Sequence, residues 1–466
     1  MRRPRYFFMI LVYVLNIYFA GYICFMAHKP VGKITPIDKW VVYPLRAFIS
    51  NSSMSGILLF CMAILAMIIM NSPWEHAFHH FWETPIRLSI GQFVLDKTLH
   101  HWINDGLMAI FFFVVGLELK REMVAGEFSE PRNAILPIVA ALGGMVVPAL
   151  TYALFNNGLP SISGWGIPMA TDIAFALGVL YLLGDKVPLS LKLFLTALAI
   201  ADDLGAVLVI AIFYSNDISV NMLLLGGVFF LLMLLANRLG VRAPLVYAVL
   251  GIGGLWTCFL LSGVHATIAA VLAAFTIPVT VKVKDFEYIN EMESSIKQFK
   301  DSDTNDLPIV TPEQLHVIEH IRDVSVKALT PLQQLEHALH PFVLFIIMPI
   351  FALSNAGVHL GEGLVDLLQQ PVTLGVFFGL LAGKVIGVVG CVWITVRLGI
   401  AQFPEGMNTK NLWGLGFLTG IGFTMSLFVT SLAFTDDSFI TMAKIGILSA
   451  SLIAGIIGYF ILRKTT

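Results

Sequence analysis

The stretch ALAIADDLGAVLVIAIFY, Ala197 to Tyr214, carries two adjacent carboxylates inside an apolar segment. The apolar pattern begins near Leu189, so the segment has about 26 residues and would form a helix of ~39 Å at about 1.5 Å per residue. A helix of that length crosses a bilayer. Asp202 and Asp203 would then lie deep in the membrane, where ionised side chains are costly.

The composition of the whole chain is typical of a membrane protein. Of its 466 residues, 57% are hydrophobic and 12% are charged, and the mean hydropathy is +0.84, whereas about a quarter of the residues in soluble domains are charged. The pattern predicts an all-α polytopic membrane protein. Separately from the composition, we expect no enzymatic activity, no cofactor and no nucleic-acid partner. The predicted transmembrane helices, about 12 in number, lie near 53–71, 101–119, 134–155, 163–183, 189–214, 219–236, 244–260, 262–280, 339–357, 372–396, 412–433 and 440–462.

The chain divides into four regions. Residues 1–50 form an N-terminal extension, 51–280 hold spans one to eight, 281–330 form an insertion, and 331–466 hold spans nine to twelve. The extension contains a further apolar segment, Tyr6 to Met26, for which the sequence leaves three alternatives open. It is a thirteenth span, a helix on the membrane surface or a cleaved signal.

Lys and Arg concentrate in alternate loops, which predicts the orientation of the chain. By the positive-inside rule, these loops and the C-terminus are cytoplasmic. The external loop 72–100 is an exception, because it contains Arg87 and Lys97. The residues that set the orientation are Lys120, Arg121, Arg132, Lys186, Lys192, Arg238, Arg242, Arg397, Lys410, Arg463 and Lys464.

Four of the charged residues inside predicted spans form a constellation. Asp202 and Asp203 together oppose insertion by roughly 5–7 kcal/mol, at about 2.5–3.5 kcal/mol for each central charge. Asp172 lies in GIPMATDIAFALGVL, and Lys384 is the only charge in VFFGLLAGKVIGVVGCVWITV, where it is a natural counter-charge for an aspartate. Such charges usually mark an ion path, and the alternative is a hydrogen-bonded structural pair.

Two spans contain residues that weaken a helix near their middle. Pro168 and Thr171 lie beside Asp172, and the segment LTGIGFTMSLF contains Gly420, Gly422 and Thr424. Proline removes a backbone donor, and threonine competes for backbone hydrogen bonds. Interrupted spans in the two halves of a transporter indicate its binding site, because half-helix ends and free backbone groups can hold ions there.

Six motifs follow one another along the chain: FVVGLELKREM, MATDIAFALGVL, LTALAIADDLGA, SGVHATIAAV, FALSNAGV and GIGFTMSLF. Together they resemble the NhaA family of bacterial sodium/proton antiporters. The resemblance covers about residues 50–280 and 331–464 and implies two inverted repeats with two discontinuous helices that cross near the membrane centre. It implies export of Na⁺, and also Li⁺, in exchange for external protons across the bacterial inner membrane.

The resemblance also implies roles for individual residues. Asp203 would be the main ion-binding and proton-carrying carboxylate, and Asp202 beside it would bind Na⁺ with it, pair with Lys384 or carry a proton. Thr171 and Asp172 would lie at the crossing, where Asp172 and Lys384 would offset the dipoles of the facing helix ends.

A second set of residues matches family positions linked to the response to pH. On spacing alone, Glu118 to Glu122 is better interpreted as a solvated helix end, and a lone membrane histidine such as His265 is usually a hydrogen-bonded structural residue. The matching residues are Glu118, Lys120, Arg121, Glu122, His265, Glu336, His337 and His340.

Two segments call for predictions of their own. The insertion is longer than the family's usual loop; its first half is predicted to be a solvated acidic linker. Its second half is predicted to be an amphipathic helix that packs on the cytoplasmic face through a stripe of Leu315, Ile318 and Ile321. Thr311 is its predicted N-cap, Pro312 its first position, and Gln314 completes a capping box. The cap pattern repeats at Thr330.

The external segment 85–96, in PIRLSIGQFVLD, is predicted to form a small β-hairpin, with a plain surface loop as the alternative. The resemblance implies that this hairpin joins two protomers.

A carboxylate shared between two ions explains exchange. In a partly desolvated cavity it can hold either a proton or Na⁺, and oxygen ligands suit Na⁺. A sodium-coupled solute symporter remains an alternative, since it would have similar broken helices. An intramembrane aspartyl protease would place its aspartates on different helices, usually with a GxGD sequence, which is absent.

Overall fold

The computed structural model describes residues 52–90, 93–215, 218–302, 309–359 and 364–465. Within these ranges the chain is predominantly helical. Tyr6 to Met26 lies outside them. The longer helices are α1 (Ser52–Met70), α2 (Glu75–Trp82), α3 (Leu99–Ala125), α4 (Pro131–Asn156), α5 (Ile173–Tyr181), α6 (Leu189–Phe213), α7 (Val220–Arg238), α8 (Pro244–Ser262), α9 (Ala266–Thr276), α10 (Asp285–Asp301), α11 (Pro312–Ala328), α12 (Pro331–Asn355), α13 (Pro371–Arg397), α14 (Thr409–Thr419), α15 (Phe423–Ala433) and α16 (Asp437–Thr465).

Membrane-spanning helices dominate the described part of the chain. Nine helical segments there are long and apolar enough to cross a bilayer, and the number is up to eleven if each of two bent pairs, α1 with α2 and α14 with α15, is one span. The predicted span 262–280 is represented by α9, which has only 11 residues. The polytopic all-α class is therefore confirmed, and a count of about twelve stays a prediction.

Glycines allow the central helices to approach closely. A Cβ on Gly143 of α4 would collide with the backbone oxygen of Gly387 on α13, and a Cβ on Gly387 would collide with that of Gly143. Such contacts are typical of helix packing in membranes, where small residues let the backbones meet. They hold α13, which carries Lys384, against α4.

Two short strands interrupt the helical fold between α2 and α3. β1 (Pro85–Ile90) and β2 (Phe93–Thr98) pair antiparallel, with Pro85 opposite Thr98 and Ile90 opposite Phe93.

The prediction of an acidic linker at the start of the insertion is wrong. α10 covers this part, because its acidic first turn suits a helix N-terminus and one of its faces packs against α11. The hydroxyls of Tyr288 and Ser325 lie 3.3 Å apart, and Glu291 Oε2 lies 3.2 Å from His320 Nε2. The insertion is therefore a pair of helices.

The caps of the insertion are as predicted, but its stripe is not. Thr311 accepts from the amide of Gln314 at 3.2 Å, and the same box recurs at Thr330. The stripe does not pack as predicted. Leu315 and Ile318 are exposed, whereas Gln314, Val317 and Val324 are buried. The spacing of apolar residues does not by itself decide which face of α11 is buried. That face is the one against which α10 packs.

Candidate functional site

Two interrupted helices meet inside the bundle. A 3₁₀ helix, Pro160–Met169, ends before α5 begins at Ile173, and α14 and α15 are bent by 43° across their break. The amide of Asp172 donates to the Ile421 carbonyl at 2.7 Å, and the Thr171 hydroxyl donates to the Thr419 carbonyl at 3.0 Å. At both breaks, backbone groups without a partner in their own helix thus form hydrogen bonds with the facing interrupted helix.

The two glycines of the second break are required by crowding at the crossing. A Cβ on Gly420 would lie 2.7 Å from the Leu380 carbonyl oxygen. A Cβ on Gly422 would lie 2.7 Å from Leu380 Cδ2 and 3.0 Å from the Ala170 carbonyl oxygen. Larger residues at these two positions would push the segments apart.

Gly422→Ala is expected to destabilise the protein by about 1–3 kcal/mol, the usual cost of overpacking a filled interior. Thermal unfolding of the purified protein measures the effect. Gly227→Ala on α7 is the matched control, since a Cβ there meets nothing within 4 Å. Equal melting temperatures for the two variants would contradict the crowding seen at Gly422.

Opposite charges cap the helix ends at the crossing. The Asp172 carboxylate accepts from the amides of Phe175 at 2.9 Å and Thr424 at 3.1 Å, and from the Thr424 hydroxyl. It therefore faces the positive N-terminal ends of α5 and α15. The ammonium of Lys384 donates to the Met169 carbonyl at the negative C-terminal end of the 3₁₀ helix. Each charge therefore faces a helix end of opposite polarity, and the compensating roles of Asp172 and Lys384 stay a prediction.

Lys384 also forms a fully buried ion pair with Asp202. Lys384 Nζ lies 2.6 Å from Asp202 Oδ2, and neither side chain is exposed. A π-helical turn, Gly379–Gly383, precedes Lys384 and displaces the register of the helix at this point. Asp202 Oδ1 is buried, and Thr171 lies against the Asp202 carboxylate.

Asp203 differs from its neighbour. It is buried, with 2% of the residue exposed, yet no residue in the described ranges donates a hydrogen bond to its carboxylate. Adjacent positions of a helix point about 100° apart, so only one of the two aspartates is directed at Lys384. The Asp203 carboxylate thus keeps its oxygens available to a cation or a proton.

A funnel of about 640 Å³ opens between α3, α5 and α12. Glu118, Arg121, Glu336, His337 and His340 all line it. Arg121 on α3 makes an ion pair with Glu336 on α12, and His340 Nε2 lies 3.6 Å from Glu118 Oε1. The structure therefore brings together most of the residues that the resemblance links to pH.

Three members of that predicted set lie elsewhere. Glu122 binds Arg121 at 3.0 Å and accepts from the amide of Glu127 at 3.0 Å, and it does not line the funnel. Lys120 donates to the carbonyls of Phe275 and Ile277, at 2.6 and 2.5 Å, and so caps the C-terminal end of α9. His265 lies at the opposite end of α9, where its Nε2 is 2.8 Å from the Tyr214 carbonyl. That bond matches the structural alternative for His265.

Sequence reasoning missed two serines at the crossing. The Ser426 hydroxyl donates to the Ile167 carbonyl at 2.8 Å, and the Ser451 hydroxyl accepts from the amide of Phe423 at 3.2 Å. Both side chains satisfy backbone groups that the broken helices release. The available signal was a hydroxyl residue in an otherwise apolar span.

Comparison with known proteins places the chain in a family. The family model described as "Na+/H+ antiporter 1" matches residues 46–462. The "Na(+)/H(+) antiporter NhaA" of Oleidesulfovibrio alaskensis is 50% identical over 429 residues, covering 92% of this chain and 95% of the relative. The "Na(+)/H(+) antiporter NhaA 1" of Saccharophagus degradans is 45% identical over 438 residues, covering 92% and 94%. With its crossing of broken helices and its buried aspartates, this chain belongs to the Na+/H+ antiporter 1 family.

Proposed function

We propose that this sodium/proton antiporter exchanges its two ions on one carboxylate, that of Asp203. The observation that carries the proposal is the contrast within the aspartate pair. Asp202 is neutralised by Lys384 at 2.6 Å, whereas Asp203 is buried with no described donor. A buried carboxylate without a partner is costly unless it binds a cation or a proton. Occupancy by one ion then excludes the other.

Oxygen ligands suit a small hard cation. Thr171, which lies against Asp202, and the unwound backbone beside it supply hydroxyl and carbonyl oxygens, and Asp202 Oδ1 supplies a carboxylate oxygen. This set is compatible with Na⁺ and with the smaller Li⁺. Asp172 and Lys384 hold the crossing in place by offsetting the helix ends.

The funnel is the proposed entry from the cytoplasm. It lies where α3 ends, beside the loop that the positive-inside rule places inside, and that rule also places the C-terminus inside. Glu118, Glu336, His337 and His340 are the proposed pH-responsive groups along this path. We further propose that α5 and the α14–α15 pair occupy corresponding places in two inverted repeats.

Sodium-dependent proton release from inverted membrane vesicles tests the exchange. Addition of Na⁺ or Li⁺ is expected to release protons from an acidified lumen in the absence of any organic solute. A symporter would instead move Na⁺ only together with its solute and would show no proton counterflow. A protease would cleave a membrane peptide without moving either ion.

The paired strands β1 and β2 are the proposed contact between two protomers. Strand edges pair readily with a second copy, because their backbone groups are unpaired on one side. We expect deletion of residues 87–94 to convert a dimer into a monomer in mild detergent, as measured by light scattering. A dimer that persists after the deletion would contradict this contact.

A further inference from the structure

The helix pair of the insertion exposes a row of large apolar side chains. Phe286 is 75% exposed, Ile289 is 54% exposed and Ile318 is 42% exposed. The row, called here the insertion face, consists of Phe286, Ile289, Ile296, Leu315, Ile318 and Val326. Such a contiguous apolar patch usually marks an interaction site.

Both helices contribute to the same side of the pair. Ile289, Ile296 and Ile318 each follow by one residue a position that packs against the other helix, namely Tyr288, Ser295 and Val317. One residue is a turn of about 100° in the same sense on each helix. The contacts 288–325 and 291–320 show that the two helices run antiparallel. In an antiparallel pair, the same rotation away from the contact places the exposed apolar residues of both helices on the same side of the pair.

The charge of the insertion argues against a lipid surface as the partner. Residues 281–330 contain ten acidic and six basic side chains. Cytoplasmic lipid surfaces are negative and attract basic segments. An apolar face surrounded by excess negative charge is complementary to a segment that is both apolar and basic.

The chain itself contains such a segment. Residues 27–51 have four basic side chains, Lys29, Lys33, Lys39 and Arg46, and a single acidic one, Asp38. Between the charges lies the apolar run WVVYPL, from Trp40 to Leu45.

The two segments converge on the funnel. Ser55, in the first turn of α1, lines it, and so does Leu329, the residue that follows α11. Arg242 and Gln334 hold the Leu329 carbonyl at 3.1 and 3.2 Å. Ser52 follows Trp40 by twelve positions, which corresponds to ~18 Å of chain if helical and ~40 Å if extended.

We propose that residues 27–51 dock on the insertion face, with their apolar side chains against its exposed row and their basic side chains against the acidic residues beside it. The contact ties the N-terminal extension to the insertion beside the funnel. It does not depend on which ion the funnel carries.

Photo-crosslinking in the full-length protein tests this docking. Benzoylphenylalanine is placed at position 318, on the insertion face, in native membrane vesicles, and the linked peptides are identified by mass spectrometry after irradiation. We expect the cross-links to map to residues 27–51. Reversal of charge at Lys33, Lys39 and Arg46 to glutamate should reduce their yield several-fold, since like charges would then face each other.

Position 316 is the matched control. His316 is exposed on the same helix, but about 200° of rotation separates it from Ile318, so it points away from the insertion face. We expect several-fold fewer links to residues 27–51 from this position. Links from position 318 to lipid or to a second copy only, no link at all, or equal yields from both positions would overturn the proposal.

Discussion

Replacing Asp203 with asparagine is expected to abolish sodium-dependent proton release from inverted vesicles. The amide keeps the shape of the side chain but can neither ionise nor hand over a proton. Because Asp203 is buried and receives no hydrogen bond from the described residues, the substitution leaves no broken pair behind. The loss should therefore be one of transport, with thermal stability retained or improved.

Asp437→Asn is the control for this substitution. Asp437 begins α16 and is exposed, so its loss should leave exchange nearly unchanged. Vesicles must contain equal amounts of inserted protein for each variant. Normal exchange by a correctly inserted Asp203→Asn protein would refute the role of the shared carboxylate and make the aspartates a structural pair.

Lys384→Met is expected to destabilise the protein by about 3–5 kcal/mol, because it leaves the Asp202 carboxylate charged, buried and unpaired. It also removes the donor to the Met169 carbonyl, at the end of the 3₁₀ helix. Thermal unfolding in detergent measures the loss. Lys192→Met is a control, because Lys192 is only partly buried and pairs with no carboxylate: its ammonium lies 3.3 Å from the Gly184 carbonyl and 5.3 Å from the centre of the Tyr181 ring.

The double variant Asp202→Asn with Lys384→Met separates structure from transport. Replacement of both partners of a buried pair is often close to neutral for stability, so we expect most of the lost stability to return. If Asp202 serves only to hold Lys384, exchange should return as well, since Asp203 is intact. Recovery of stability without exchange would instead assign Asp202 or Lys384 a direct part in ion transfer. A double variant no more stable than Lys384→Met would contradict the pairing itself.

The membrane class and the main site could be predicted because their signals are local. A carboxylate in an apolar run is costly wherever the helix packs, so Asp172, Asp202, Asp203 and Lys384 stand out without any structure. The interruptions near Pro168 and at Gly420 and Gly422 are equally local, since they reflect what the backbone can hydrogen-bond. Caps such as Thr311 and Thr330 depend on three or four successive residues and were predicted correctly.

Partners distant in sequence could not be predicted from residues alone. The acidic first half of the insertion resembles a solvated linker until α11 is placed beside it, and Leu315 and Ile318 look like packing residues until α10 occupies a different face. Lys120 resembles a member of a charged cluster, but the end of α9 lies within reach of its ammonium. In each case a long-range neighbour decides the outcome.

The amino-acid sequence by itself determined that this chain crosses the membrane many times, because the length and composition of an apolar run decide whether it can span a bilayer. It also determined that three aspartates and a lysine lie inside these spans, where the free energy of placing an ionised group in the membrane makes them stand out. Only the tertiary structure decided which aspartate is neutralised. Asp202 and Asp203 are chemically identical neighbours whose side chains point about 100° apart on the helix. Only the packing of α13 against α4 places Lys384 beside Asp202 and not beside Asp203.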